Sequence, residues 1–370
     1  MTGRLFGLTW ASLAIALIGA TCAHAEEKCA LTQIASLPIA EAPNGMLTVP
    51  LKVGNDTAQF VLAIDQQFGA VTYALINGHE LIYHPFATPG RSPAFVTYMG
   101  QTAEGKAYVP KITLGQANIA NVQALAIQQQ LAPGTVGALG LDVLSQFDIE
   151  LNLQAGKLNL FSPDHCPGEV VYWNRPFTVL PMSQDDQSGT PYFGMQLNGK
   201  PVTVKLSVSV NEAEMGSETA KRLFDLSPAS PGVTLRPDLT KTVEIRRKRL
   251  MDIGDPNAGK KVSEVTMNYY EYVFGNLSLN GITISGLRTI LFPQKEGEQC
   301  RGEKAFHSGL VSRCIGGVDL LLGKRELRQM RLYFGFKEQR LYVTAPDPIP
   351  PAAPLVQPPA ELRNRLAVPN

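Results

Sequence analysis

The sequence predicts an all-β fold built from two copies of one plan, and two internal repeats carry this prediction. KITLGQANIANVQAL, from Lys111, matches GNLSLNGITISGLRTI, from Gly275, at a constant offset (277 − 112 = 165) and without a gap. GLDVLSQFDIELNLQAGKLNLF, from Gly140, matches GKRELRQMRLYFGFKEQRLYV, from Gly323, at a second constant offset (323 − 140 = 183). Apolar and polar residues alternate in both repeats, as they do in half-buried strands.

The elements follow in the same order in each half. The first repeat indicates a strand, a tight turn and a strand, and the second indicates a glycine turn, one short helical turn and a hairpin. A strand leading into a helix-like segment precedes the first repeat in both halves. We therefore predict two strand-rich domains, residues 26–170 and 171–345, and a length of 370 residues is enough for both.

The two ends of the chain differ from its middle. MTGRLFGLTWASLAIALIGATCAHA has a basic residue, an apolar stretch and a small-x-small site, which predicts a cleavable signal peptide, residues 1–25, and a periplasmic or secreted protein. A membrane anchor is the alternative, but the apolar core is short, and no other stretch is apolar enough to span a bilayer. The evidence for a lipoprotein signal at Cys22 is weak, because such signals have a large aliphatic residue three positions before the cysteine and this chain has Gly19. Residues 346–370 form a proline-rich segment that predicts a disordered tail.

Charge and cysteine usage limit the partners. The chain has 33 basic and 32 acidic residues, and this balance argues against nucleic acid as a partner. Without the signal, Cys29, Cys166, Cys300 and Cys314 remain, and an even number in an exported chain suggests disulfides. Of the three possible pairings we favour Cys29–Cys166 and Cys300–Cys314. With no CxxC and scattered histidines, we expect neither a metal site nor a cofactor.

The duplication also assigns a counterpart to the stretch IDQQFGA, which begins at Ile64 after an apolar run. One register places Asp65 on Ser207 (207 − 65 = 142) and puts two extra residues of the first copy into the hairpin turn at 54–58, where insertions cost little. A rival register places Ala63 on Ser207 and needs its gap after the strand. We prefer the first register.

With these segments in view, each half resembles a bacterial retropepsin-like (pepsin-like) aspartic protease domain. VGALGLDVLSQFDIELNL and VDLLLGKRELRQMRLYFGF resemble the family's Gly-x-Asp-x-Leu segment. LNGKPVTVKL, followed by SETAKRLF, resembles the flanks of its Asp-Thr-Gly motif. The resemblance covers nearly all of 31–345. It implies two homologous β-barrel domains that face each other across a cleft, each with a flap hairpin.

The resemblance breaks down at the catalytic motif. The family carries Asp-Thr-Gly in both domains, whereas this chain has Asp65-Gln66-Gln67 and Ser207-Val208-Ser209. An aspartic dyad needs two carboxylates that share one proton, and a serine cannot be the second acid. Asp65 and Ser207 are therefore interpreted as relics of a catalytic pair, and activity as an aspartic-type endopeptidase is uncertain. The alternative is that Asp65 only caps the segment after its strand.

Two hairpins are expected to be the flaps. The first lies in PAFVTYMGQTAEGKAYVP, with its tip near Glu104–Gly105, and the second has its tip in GDPNAGKK. GDPNAGKK nearly matches a phosphate-binding loop, but strand-like residues follow it and its last position lacks Ser or Thr. The candidate cleft and flap residues are Gln66, Gln67, Tyr98, Gly105, Gly259 and Tyr269.

Three functions fit this interpretation. The first is an exported, catalytically impaired protein that binds an extended peptide or protein segment in the cleft by main-chain hydrogen bonds. The second is an active aspartic-type endopeptidase with an altered site. The third is an envelope interaction protein that acts through its proline-rich tail.

Overall fold

The computed structural model describes residues 31–86, 96–173, 175–185, 189–246, 262–294 and 318–344. The predicted signal peptide, the proline-rich tail, Gly259 and four of the five cysteines lie outside this part of the chain. Within it, strands dominate and the helices are short, so the predicted all-β class is confirmed. No helix of the described residues is long and apolar enough to cross a membrane.

The elements of the first half are β1 (Gln33–Pro38), β2 (Ala40–Glu41), β3 (Leu47–Val53), β4 (Asp56–Leu62), β5 (Ala70–Thr72), α1 (Tyr73–Gly78), β6 (Ile82–Pro85), β7 (Val96–Tyr98), β8 (Gln101–Leu114), β9 (Ala117–Ile127), β10 (Thr135–Leu139), α2 (Leu141–Leu144), β11 (Asp148–Asn152) and β12 (Lys157–Phe161). Those of the second half are β13 (Phe177–Gln184), β14 (Pro191–Leu197), β15 (Lys200–Leu206), β16 (Ala213–Gly216), α3 (Ser217–Phe224), β17 (Thr234–Leu235), β18 (Lys241–Arg246), β19 (Val262–Met267), β20 (Tyr270–Leu279), β21 (Ile282–Phe292), β22 (Leu320–Leu322), α4 (Lys324–Leu327), β23 (Arg331–Gly335) and β24 (Arg340–Thr344).

Each half closes into a six-stranded barrel of the same strand order. The first barrel runs β3-β4-β10-β5-β9-β8 and is closed by pairing of β3 with β8. The second runs β14-β15-β22-β16-β21-β20 and is closed by pairing of β14 with β20. In both barrels the second strand of the opening hairpin lies parallel to the strand that leads into a short helix. The two halves therefore share one topology.

A further sheet joins the halves. Its order is β1-β12-β11-β23-β24-β13, all antiparallel, so each half supplies three strands. The halves meet where β11 pairs with β23, at Ile149 opposite Phe334 and Leu151 opposite Leu332. All four of these side chains are buried, and they belong to one apolar core that runs through both halves. Main-chain hydrogen bonds and a shared core thus hold the barrels together.

The opening hairpins of the two barrels have turns of equal length. Val53 pairs with Asp56 in the first, and Leu197 pairs with Lys200 in the second. Two residues turn the chain in each case. The two extra residues that the sequence predicted at 54–58 are therefore not there.

The strand ends confirm the rival register. The Ala63 N–H donates to the Leu139 carbonyl at 3.0 Å, and the Ser207 N–H donates to the Leu322 carbonyl at 2.9 Å. These carbonyls end the parallel partner strands and are themselves related by the offset of the second repeat (322 − 139 = 183). Ala63 is therefore the structural counterpart of Ser207, and the preferred register, with Asp65 on Ser207, is wrong.

The hairpin predicted as the first flap turns earlier than expected. Tyr98 pairs with Gln101, so the turn is Met99–Gly100 and not 104–105. Gly105 lies inside β8, at an irregularity in its pairing with β9. A Cβ at Gly105 would come within 2.5 Å of the His84 carbonyl oxygen. This glycine is therefore explained by the close approach of two strands, not by a flap tip.

Candidate functional site

The candidate site lies where the loops after β4 and β15 meet. Asp65 is 8% exposed, and Ser207 is fully buried. The Ser207 hydroxyl donates to Oδ2 of Asp65, and the Ser209 hydroxyl donates to Oδ1 at 3.1 Å. The Ser209 N–H in turn donates to Oγ of Ser207 at 3.1 Å. Both oxygens of one carboxylate from the first half therefore accept hydroxyl groups from the second half.

This arrangement differs chemically from an acid–base pair. A proton-sharing dyad needs a second carboxyl, and among the described residues no carboxyl is hydrogen-bonded to Asp65. The Ser207 hydroxyl already donates a hydrogen bond to Asp65 and accepts one from the Ser209 N–H, so its orientation is fixed. The site as built is a buried, charge-assisted hydrogen-bond junction between the halves.

The N-terminus of the short helix α2 holds the loop that carries Asp65. The Leu141 N–H donates to the Gln66 carbonyl at 3.0 Å, and the Asp142 N–H donates to the Gln67 carbonyl at 2.8 Å. The Asp142 carboxylate accepts from the Gly69 N–H at 3.0 Å. Burial raises the pKa of Asp142, while this N–H opposes the rise. Hydrogen bonds thus hold the backbone after Asp65 at Gln66, Gln67 and Gly69.

The loop after β15 is held in the same way. The first two residues of α4 donate their N–H groups to the carbonyls of Val210 and Asn211, at 3.0 and 2.9 Å. Glycine before each short helix allows the chains to cross closely. A Cβ at Gly140 would lie 2.4 Å from backbone of the facing loop, and one at Gly323 would lie 2.6 Å from it. These crossings explain why the second repeat begins with glycine in both halves.

Gln67 is the candidate that reaches the other half. Its side chain is exposed, and it lies against the turn that joins β13 to β14. A Cβ on Gly189, in that turn, would be 2.9 Å from Nε2 of Gln67. Gly189 has a φ of +61°, which favours glycine independently. Gln66 precedes it and is half-buried.

Tyr98 covers the first half's side of the site. It is 3% exposed and packs in an apolar cluster that includes Val61 and Ala63. Its hydroxyl has no hydrogen-bond partner among the described residues. Burial raises the pKa of Tyr98 strongly, and the negative charges of Asp65 and Asp142 raise it further. The predicted hairpin therefore does bring a tyrosine near Asp65.

Sequence reasoning missed Lys205. The alternation in KPVTVKL buries Val202, Val204 and Leu206 in the barrel, so Lys205 lies on the opposite face of β15, the face that also carries Ser207. Burial lowers the pKa of Lys205, and the nearby charges of Asp65 and Asp185 oppose this. In the sequence, the only indication was a lysine at the next-to-last position of a predicted strand, between apolar residues.

The remaining predicted residues are not brought to Asp65. Tyr269 is half-buried, and its carbonyl accepts from the Arg236 N–H at 2.8 Å. Cys166 is disulfide-bonded. Because the other cysteines lie outside the described residues, the pairings Cys29–Cys166 and Cys300–Cys314 stay predictions. Within the described ranges, no three His, Cys, Asp or Glu side chains are grouped as a metal site requires.

Known proteins offer little to compare. No family model matches the chain. No curated protein matches it either. Among solved structures, basic 7S globulin from soybean is 13% identical, and the match covers 85% of this chain and 97% of that chain with a TM-score of 0.43.

Two further structures match at a similar level. Conglutin gamma, described as a unique basic 7S globulin from lupine seeds, is 10% identical over 85% of this chain and 95% of that chain, with a TM-score of 0.44. A structure named edgp is 12% identical over 84% and 94%, with a TM-score of 0.45. Similarity at this level carries no argument about what the chain does.

These comparisons correct the family expectation. No family model matches the chain, so its expected membership of the retropepsin-like aspartic protease family is wrong. The geometry supplies a physical reason. The equivalent strand ends carry Ala63 and Ser207, so neither barrel presents a carboxyl at that position. Asp65 lies two residues further along.

Proposed function

We propose that this protein holds an extended peptide, or an extended segment of a protein, in a groove between its two barrels and does not cleave it. The observation that carries this proposal is the state of Asp65. Both of its oxygens are occupied by serine hydroxyls, and among the described residues no second carboxyl is bonded to it. A site without an acid pair can retain a peptide that a protease would hydrolyse.

The hairpin that carries Tyr98 supports the choice of an extended ligand. Among the described strands, β7 pairs with β8 alone, which leaves its other edge for a further strand. Edge strands bind extended peptides through main-chain hydrogen bonds. Because the predicted signal peptide directs export, the ligand would be met in the periplasm or outside the cell.

The test is a binding measurement that also reports cleavage. Pools of fluorescent octapeptides are titrated against the protein, and the mixtures are then analysed by mass spectrometry. Gln67→Trp adds bulk beside Gly189 and should weaken binding by about tenfold or more, which corresponds to about 1.4 kcal/mol. Gln123→Trp, on an exposed position of β9, is the matched control and should bind as the wild type does.

Two results would overturn the proposal. One is the absence of binding to every pool. The other is steady cleavage of the bound peptides that is lost in Asp65→Asn, which would mean that the site is catalytic after all.

A further inference from the structure

Equivalent rows of residues in the two barrels carry different chemistry. In the first barrel, Ala138 pairs with both Val61 and Ala70, so the three lie side by side across β4, β10 and β5. All three are buried in the apolar cluster that Tyr98 covers. This row is uncharged.

The corresponding row of the second barrel is charged. Leu321 pairs with both Lys205 and Glu214, across β15, β22 and β16. Lys205 and Val61 are related by the same offset as Ser207 and Ala63 (205 − 61 = 144). Since the first barrel closes with a valine at this position, the fold does not require an ammonium group there.

Lys205 is also poorly compensated. With the described residues it makes no hydrogen bond and no ion pair, although its side chain is half-buried. Asp65 and Asp185 act on it only through space. Both oxygens of Asp65 are already taken by Ser207 and Ser209. Burying an ammonium without a direct partner costs free energy, and such uncompensated charges cluster at binding sites.

We propose that Lys205 binds a carboxylate of the ligand, so that the groove selects peptides with an acidic side chain or a free C-terminus. This inference rests on the proposed function. The ammonium group offers three N–H donors and lies on the strand face that also carries Ser207. A ligand carboxylate would supply the direct partner that the described part of the chain does not. A cationic ligand, drawn by Asp65 and Asp185, is the opposing expectation, and the test separates the two.

The experiment uses amidated octapeptide pools with one position fixed as Asp, Asn or Lys, and a Leu pool made with a free or an amidated C-terminus. We expect the wild type to bind either the amidated Asp pool or the free-acid Leu pool about tenfold tighter than its uncharged counterpart. The first result identifies a side-chain carboxylate, and the second identifies the C-terminus. In Lys205→Met this preference should disappear, while the uncharged pools still bind. Lys205→Arg should keep the preference for the carboxylate, because it keeps the positive charge. Lys111→Met, at an exposed position of β8, is the control and should also keep this preference.

Each remaining outcome decides the matter. Binding without a charge preference, a preference for the Lys pool, or a preference that survives in Lys205→Met would overturn the inference and leave peptide binding intact. If no pool binds, the proposed function and this inference fail together. Lys205→Gln repeats the test if the methionine variant does not fold.

Discussion

At the scale of single residues, the molecule places charged groups where few partners reach them. Asp65 is satisfied by two hydroxyls from the other half, whereas Lys205 has no direct partner among the described residues. Glu326 is a third case. It is 2% exposed, and its counterpart in the first barrel is the equally buried Val143 (326 − 143 = 183).

Asp65→Asn tests the junction of the two halves. An amide has one acceptor oxygen and no charge, so one serine hydroxyl loses its acceptor and the other bond is weakened. We expect the free energy of unfolding to fall by about 1–3 kcal/mol, measured by urea denaturation. Asp56→Asn, at the exposed start of β4, should change this free energy by less than about 0.5 kcal/mol. If the two substitutions lowered the free energy of unfolding equally, the hydrogen bonds of Asp65 would not stabilise the junction.

Glu326 makes stability depend on pH. Burial raises its pKa from 4.5 to about 7, and Oε2 has no hydrogen-bond partner among the described residues. The folded state therefore binds this proton more tightly than the unfolded chain does. Its stabilisation is complete below about pH 4.5 and is lost as the pH rises through about 7.

Glu326→Gln removes this titration. We expect its free energy of unfolding, relative to the wild type, to rise between pH 5 and pH 8 by up to about 3 kcal/mol, from urea denaturation at each pH. Glu218→Gln, in the half-buried first turn of α3, is the control and should give a flat difference. A flat difference for Glu326→Gln as well would mean that its carboxyl is not desolvated.

At the scale of elements, the joining sheet contains a buried charged cluster beside the contact of β11 with β23. Nε2 of His165 is 2.5 Å from Oδ2 of Asp148, and Nδ1 is 3.5 Å from Oε1 of Glu338. All three side chains are at most 7% exposed. Burial lowers the pKa of His165, but the hydrogen bond to Asp148 and the neighbouring carboxylates outweigh this and raise it. The cluster thus links β11 of the first half to the β23–β24 turn of the second.

His165→Gln measures what this cluster contributes. Because the folded pKa of His165 is raised, its stabilisation is fully present below about pH 6.5 and is lost as the pH rises further. The difference in unfolding free energy between the wild type and the variant should therefore shrink from pH 6 to pH 9. His79→Gln, whose partner Asp56 is 3.7 Å away and exposed, should give a small difference at every pH. If the difference in unfolding free energy between the wild type and His165→Gln grew with pH, the pKa of His165 would be lowered in the folded state and not raised.

The strands and their order along the chain could be predicted from the repeats. The alignment of the two halves at the site, which decides the counterpart of Ser207, could not. The register with Asp65 on Ser207 has the same offset as a match of Leu81 with Leu223 (223 − 81 = 142), one leucine near each helix end, and it depends on that match. Helices α1 and α3 begin at the same offset as the strands (217 − 73 = 144) but span six and eight residues, so leucines near their ends are not equivalent. Backbone hydrogen bonds from Ala63 and Ser207 fix the register, and no sequence pattern reports them.

The prediction of the first flap tip was wrong for a similar reason, since tertiary contacts that the sequence does not show decide the position of the turn. Glu104–Gly105 looks like a turn, yet Gly105 serves a close contact between strands while the turn falls at Met99–Gly100. Contact between Asp65 and Ser207 could still be anticipated, because duplicated strand ends meet. Lys205 could not be singled out without knowing that Val61 is its counterpart.

At the scale of the whole molecule, two barrels share one core and one joining sheet, so we expect them to unfold together. Trp173 reports on this region because it packs over Arg331 of β23, 4.0 Å from the ring centre, and Trp10 belongs to the predicted signal peptide. In a chain that begins at Glu26, the urea transitions seen by tryptophan fluorescence and by circular dichroism should coincide.

Leu151→Ala, at the pairing of β11 with β23, should shift both transitions by the same amount, about 2–5 kcal/mol. Leu75→Ala, in the core near α1 and away from the joining sheet, is the matched comparison and should also shift both. Two separated transitions would show that each barrel is stable alone.

The uncharged row at Val61, Ala138 and Ala70 bears on how the duplicated architecture can specialise. A barrel that closes with small apolar groups there does not depend on what fills those positions. One copy can then remain a scaffold while its twin acquires selective groups, and the free-energy cost of burying those groups falls on one row of the second barrel.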